Sequence, residues 1–218
     1  RHLEQHIGDR ENIFVMPDYF ESTAVDVARD MKKFVSVSSY DASHCTSELI
    51  EAFAQVVEKE PAATLELYGK LTKARKDAMN KQIAKLNLKD AVKVHGYKLN
   101  IDEVLASGVA NVIVSQTDGQ ASSIGEAFAN GTPVIAYDVA FGAAEAIKDG
   151  QAGFLVEAHN VDALAQAMMA MFDEEKAKEM GVIAKKEAEA RYTAETYSKN
   201  WLALLDHIEE HMPREPLI

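Results

Sequence analysis

Asn111-Val112-Ile113-Val114, Ser115 to Ala121, Ser122 to Asn130 and Pro133-Val134-Ile135-Ala136 read in succession as strand, loop, helix and strand. The two outer runs are short and apolar, as suits a sheet covered on both faces. The helical run is rich in small residues and closes on Gly131, a good left-handed cap. Such a unit predicts parallel strands joined by a right-handed crossover.

The alternation extends in both directions. Upstream, Phe34 to Ser38 reads as a strand, and Thr46 to Glu58 as a helix with Leu49, Ile50, Phe53, Val56 and Val57 at helical spacing. Thr64 to Tyr68 is a strand ended by Gly69, Leu71 to Leu86 a charged amphipathic helix, Val92 to His95 a strand ended by Gly96, and Ile101 to Ser107 a short helix. Downstream, Gly153 to Val156 is a sixth strand, followed by helices over Val161 to Phe172, Glu174 to Arg191 and Ala194 to about His211. The expected fold is α/β, a doubly wound, Rossmann-like parallel sheet. Its ligands bind at the carboxyl ends of the strands, near the switch point. That directs attention to the loops after Ser38, Tyr68, His95, Val114 and Ala136.

The start of the chain reads differently. Asn12 to Pro17 resembles a strand running into a proline, and Glu21 to Met31 is acidic and helix-like. The expected organisation is 1–32 as a linker or remnant of a preceding domain, 33–192 as the Rossmann-like domain, and 193–218 as a C-terminal helix and tail. Arg1 stands where an initiator Met is usual, so the chain reads as part of a longer protein.

Composition narrows the function. The 218 residues carry 23 Lys and Arg against 35 Asp and Glu, a net charge of −12. An acidic chain repels nucleic-acid phosphates, so nucleic acid is not an expected partner. Lys70, Lys73, Arg75 and Lys76 read as a solvated helix face. No apolar run reaches the ~18 residues of a membrane span. Cys45 is the single cysteine, which excludes an internal disulfide and a Cys-rich zinc site. A cytoplasmic location fits. No partner that would activate Cys45 is visible nearby in the sequence. His207 and His211, four apart on a helix, lack an evident third metal ligand, and no metal site is expected. Met168, Met169 and Met171 read as core filler.

The chemistry concentrates after the fourth strand. Asp118 sits in the loop and Glu126 one turn inside the helix, eight positions apart. Gly119 and Gly125 between them would let backbone approach a ligand. The helix N-terminus suits an anion, and the acids suit sugar hydroxyls. Read blandly, Asp118 caps the helix and Glu126 is a partly buried helix acid.

The stretch Ser115 to Ile135 resembles the signature of the retaining family 4 glycosyltransferases, which have the two-domain GT-B fold. Ser115, Gly119, Glu126, Ala127, Gly131, Pro133, Val134 and Ile135 match in frame. Further matches lie at Leu49 to Phe53, Leu65 to Gly69, Val94 to Tyr97, Tyr137 to Gly142 and Asp149 to Val156. The resemblance covers nearly the whole chain and identifies 33–192 as the C-terminal, nucleotide-sugar-binding half. The block after Tyr137 looks especially like enzymes that glucosylate poly(glycerol phosphate) or teichoic-acid chains, and like relatives that glycosylate serine-rich adhesins. Tyr197 to Leu205 resembles the helix that crosses back onto the N-terminal domain.

The resemblance implies transfer of a hexose, glucose foremost, from a nucleotide sugar, UDP-linked, with retention and no obligatory metal. The nucleotide sugar is the donor substrate, and no cofactor is implied. The acceptor would sit on an N-terminal domain absent from this chain, through which membrane association would also arise. Glu126 takes the ribose role. Asp118, in place of the family's glutamate, would face the sugar with Gly119 and Gln120. Tyr97 and Lys98 would lie near the base, and Gly69 and Lys70 beside the phosphates. The phosphate-holding Arg and Lys of the family are replaced by Ser39 and His44. His44 supplies a charge only when protonated, and cationic stabilisation of a leaving phosphate is a large catalytic contribution. The departure keeps a second reading open: an inactive pseudo-glycosyltransferase acting as partner or chaperone of a homologous subunit. A dinucleotide dehydrogenase fits poorly, because the loop after the first strand has no Gly-x-Gly-x-x-Gly.

Overall fold

The computed structural model describes residues 14, 16–20, 22, 25, 27–40, 44–116, 122–139 and 142–211. Six strands form one sheet: β1 (Asp30–Val37), β2 (Thr64–Tyr68), β3 (Val92–Val94), β4 (Gly108–Ile113), β5 (Val134–Asp138) and β6 (Gly153–Glu157). Their order is β3-β2-β1-β4-β5-β6, and every pair is parallel. The helices are α1 (Thr46–Lys59), α2 (Lys73–Lys85), α3 (Asp102–Ser107), α4 (Ser122–Ala129), α5 (Ala143–Ala146), α6 (Val161–Ala170), α7 (Glu174–Arg191) and α8 (Ala194–His211). This is the doubly wound fold expected, with its switch point between β1 and β4.

The period-two alternation of the strands divides the core. Phe34 points into a layer with Leu49, Phe53, Leu65, Leu67, Leu164 and Met168, under α1 and α6. Its neighbour Val35 points into a second layer with Leu105, Ile124, Phe128 and Ala184, under α3, α4 and α7. Phe34 meets Phe53 edge-on, ring centroids 6.3 Å apart, a geometry aromatic quadrupoles favour. Met168 and Met171 are buried, as expected of core filler.

Helix ends follow local chemistry. Thr72 caps α2 by accepting from the Arg75 amide at 3.3 Å, which starts that helix two residues later than its apolar pattern suggests. Asp173 caps α7, accepting from the Lys176 amide at 3.2 Å. Gly131 adopts φ 61°, the left-handed cap expected after α4.

Two strands begin earlier than expected, and for one reason. Asp30 pairs with Gly108, so β1 and β4 extend each other. A β-carbon at Gly108 would come within 3.1 Å of the Val35 side chain. A glycine fits there, and it hides the strand from a reading based on β-branched residues. The helix expected over Glu21 to Met31 is not formed among the described residues. Asp30 and Met31 belong to β1, and Ser22, Val25 and residues 27–29 are irregular. Tertiary bonds hold this segment instead: the Phe20 amide donates to the Tyr192 carbonyl at 2.8 Å, and Arg29 Nη2 donates to the Asn130 carbonyl at 3.2 Å. Of the strand expected at Asn12 to Pro17, Phe14, Met16 and Pro17 are irregular, and the other residues lie outside those described. The short helix α5 was not anticipated.

Candidate functional site

At the switch point the chain leaves β1 toward one face of the sheet and β4 toward the other, which opens a crevice above the strand ends. Asn111 ties its floor together. Fully buried, it accepts from the Val37 amide through Oδ1 at 3.1 Å and donates from Nδ2 to the Ser123 carbonyl at 3.4 Å. One side chain thus joins β1, β4 and the first turn of α4. Sequence reading took Asn111 only as the start of an apolar strand; a lone polar residue in such a run was the available signal.

The loop after β1 is set by its anchors. Tyr40 is buried at φ 45° and donates its hydroxyl to the Ser36 carbonyl at 2.6 Å. Burial, outweighing its hydrogen bonds, raises its pKa. Farther on, His44 forms an antiparallel bridge with Ser115, and the Cys45 amide donates to the Val114 carbonyl at 2.8 Å. His44 is therefore half-buried against the end of β4, not a fully exposed loop histidine. Gly69 ends β2 directly beside this loop. A β-carbon there would collide with the Ser38 carbonyl, so close approach of two backbones demands glycine.

The crevice is about 570 Å³. Ser39 and His44 line it from the β1 loop, Gly69 and Lys70 from the end of β2, and Tyr97 and Lys98 from the loop after β3. Ser122, Ser123 and Glu126 line it from α4. The expected Ser39, His44, Gly69, Lys70, Tyr97, Lys98 and Glu126 come from four separate chain segments and meet in one place, joined by Ser122 and Ser123, which were not expected. Asp118, Gly119 and Gln120 lie outside the described residues. Lys70 Nζ sits 5.8 Å from the centre of the Tyr97 ring. Lys98 pairs with Glu103 at 3.3 Å across solvent-exposed side chains, a contact of little energetic weight. Lys73, the first residue of α2, stands outside the lining.

Glu126 is the carboxyl of the crevice lining whose chemistry is perturbed. Its pKa is raised, by burial first and then by the charge of Asp102. Asp102 in turn accepts from Asn130 Nδ2 at 2.9 Å. A carboxyl held in a cleft at such cost is a functional-site signature, and it suits acceptance of hydroxyl hydrogen bonds. Gly125 has a different role from the one expected. A β-carbon there would collide with the Phe20 ring, so its bare face serves packing rather than ligand approach.

Two further groups need correction or addition. His207 and His211 stack on each other, ring centroids 4.2 Å apart, and are not part of a three-ligand cluster among the described residues. Cys45 does have close polar partners: Glu48 one helical turn on, and His159 from the loop after β6. Separation in sequence hid this cluster. The loop residue responsible, His159, takes φ 65°.

A parallel sheet of this order, with a polar crevice at its switch point lined by an acid, lysines and an aromatic side chain, defines a doubly wound α/β domain with a candidate ligand site at its strand ends. The chain belongs to the group 1 glycosyl transferases, whose family model matches residues 13–188. It is 29% identical over 214 residues to the poly(glycerol-phosphate) alpha-glucosyltransferase of Bacillus subtilis, covering 95% of this chain and 31% of the relative. It is 28% identical over 200 residues to the poly(ribitol-phosphate) alpha-N-acetylglucosaminyltransferase of Staphylococcus aureus, covering 91% of this chain and 40% of the relative. A crystal structure of a mutant S. aureus TarM, in complex with fondaparinux, alpha-GlcNAc-glycerol and UDP, superposes with a TM-score of 0.84 at 28% identity, over 94% of this chain and 41% of that one. The chain thus spans less than half the length of these relatives. Among the described residues, no helix is long and apolar enough to cross a membrane.

Proposed function

We propose that this chain is the donor-binding part of a glycosyltransferase that moves a hexose, glucose first, from a UDP-sugar to a polyol-phosphate polymer with retention. The observation that carries the reading is the Glu126 carboxyl, half-buried with raised pKa in the same crevice as Lys70, Tyr97 and Lys98. Glu126 binds ribose, and Tyr97 with Lys98 borders the base. Gly69, Lys70, Ser39 and His44 border the diphosphate. Asp118, Gly119 and Gln120 face the sugar. Cleavage of the sugar–phosphate bond leaves charge on the departing nucleoside diphosphate, and a cation beside it lowers the barrier. Lys70, in the loop after β2, is a permanent cation placed to do so, while the loop after β1 carries Ser39 and His44 where the family's usual pair stands. The donor brings the reactive bond, and the family resemblance implies no cofactor and no obligatory metal.

The acceptor choice rests on the two polymer-modifying relatives, and it requires a further acceptor-holding domain. A homologous partner subunit is a supplementary expectation, suggested by the likeness to a GtfA subunit of Streptococcus gordonii at 25% identity over 169 residues. A cytoplasmic site of action is part of this reading and fits a chain with a single cysteine. Calorimetric titration with UDP, against GDP and ADP, tests the reading. Selective UDP binding that Glu126→Ala abolishes supports it. Absence of binding by any of the three nucleotides at millimolar concentration overturns it in favour of an inactive partner protein.

A further inference from the structure

A second cluster of reactive side chains lies outside the crevice lining. Cys45 precedes α1, Glu48 lies in its first turn, and His159 comes from the loop between β6 and α6. Glu48 Oε1 is 2.9 Å from His159 Nδ1, and Cys45 Sγ is 3.9 Å from the same nitrogen. One thiol, one imidazole and one carboxylate oxygen fall within 4.8 Å of one another. Tetrahedral zinc, with bonds of about 2.3 Å to sulfur and about 2.0 Å to nitrogen or oxygen, sets its ligand atoms roughly 3.3–3.6 Å apart. The observed separations bracket that range, so small side-chain rotations close the site.

The surroundings are those of a ligand set. Tyr137, buried in β5, donates its hydroxyl to Glu48 Oε2 at 2.6 Å and fixes the carboxylate, leaving Oε1 toward His159. Partners of this kind orient metal ligands. Gln116 Nε2 reaches Cys45 Sγ at 3.3 Å and closes another side. His159 holds φ 65°, a left-handed conformation that side chains rarely adopt. Glycine would fill that turn without strain. The histidine that stands there approaches a carboxylate and a thiol.

We propose that Cys45, Glu48 and His159 bind a zinc-class divalent cation. The mixed sulfur, nitrogen and oxygen set favours zinc over magnesium or calcium. Three protein ligands leave a fourth position for water. Binding displaces the thiol proton to solvent and clamps the first turn of α1 to the β6–α6 loop. Because His44 adjoins Cys45, the clamp also steadies the loop that lines the crevice. This inference does not depend on the proposed transfer reaction.

Cobalt(II) added to the reduced chain without oxygen is the test. One equivalent should bind with a thiolate-to-cobalt charge-transfer absorption, and zinc should displace it. Cys45→Ser should abolish that absorption. His159→Gly, which relieves the left-handed strain and so retains the fold, should weaken binding at least tenfold. A His207→Ala/His211→Ala variant should bind as the parent does. Absence of the charge-transfer band at excess cobalt overturns the proposal. So does binding that survives both Cys45→Ser and His159→Gly, or that is lost only with His207 and His211.

Discussion

The α-carbon of Gly69 faces the carbonyl of Ser38 so closely that no β-carbon fits between them. This contact sets how near the end of β2 comes to the loop after β1, and hence the width of the crevice. Gly69→Ala should lower stability by about 3 kcal/mol, the upper range for overpacking against an unyielding backbone. Gly96 is the control. Its carbonyl accepts from the Gly69 amide at 3.3 Å, yet a β-carbon on Gly96 meets nothing within 4 Å. Gly96→Ala should stay within about 0.5 kcal/mol of the parent. Denaturant unfolding of the two variants checks the contrast.

Glu126 gives a pH signature. Its folded pKa lies above the ordinary 4.5, by burial and by Asp102. The folded protein therefore holds that proton more tightly than the unfolded chain. The associated stability is complete below the unfolded value and is lost as pH rises through the folded one. Glu126→Gln escapes the loss. The variant should melt higher than the parent at pH 7, and the gap should close toward about pH 4. Thermal melts across this range are the measurement, and equal melting at pH 7 would contradict a strained carboxyl.

Much of this was legible in the sequence. The six strands follow from β-branched and apolar runs, and the parallel order follows from the intervening helices. The strand-end loops follow from the alternation, the family resemblance points within them to Ser39, His44, Gly69, Lys70, Tyr97, Lys98 and Glu126, and these meet in one crevice. What escaped depends on contacts between distant segments. The first residues of β1 and β4 support each other through Asp30 and Gly108, although neither residue favours strands. Arg29 and Phe20 bond to residues more than a hundred positions away, which no local pattern shows. Gly125 reads as ligand-approach glycine until Phe20 is seen against it. His159 carries no local sign of its partners.

Glu48 shows the opposite pH behaviour from Glu126. Burial pushes its carboxyl up, but hydrogen bonds from Tyr137 and His159 outweigh this and leave its pKa lowered. The stability it contributes is present above the unfolded value of about 4.5 and is lost as pH falls through the folded value. Tyr137→Phe removes one of those bonds. It should cost about 1 kcal/mol at pH 7, with the deficit shrinking in acid. Urea unfolding at both pH values checks it.

The lysines after β2 are separable. Lys70 lines the crevice and Lys73 does not. Lys70→Met should weaken UDP binding about tenfold, the equivalent of ~1.4 kcal/mol for a charge-assisted contact. Lys73→Met should leave it unchanged. Supplying the cations usual in the family, by Ser39→Arg with His44→Lys, should raise UDP affinity. Calorimetry reads all three variants.

The helix α8 runs for 18 residues with no buried side chain. Among the described residues its ties include Tyr19 against Tyr197 and Phe14 against His207, and Trp201 and Leu202 are 41% and 62% exposed. A helix of this length gains little from propensity alone. Its amides should therefore exchange with solvent well before those of the sheet, as a separate cooperative unit. A protease should therefore trim α8 first and leave the sheet and its crevice standing.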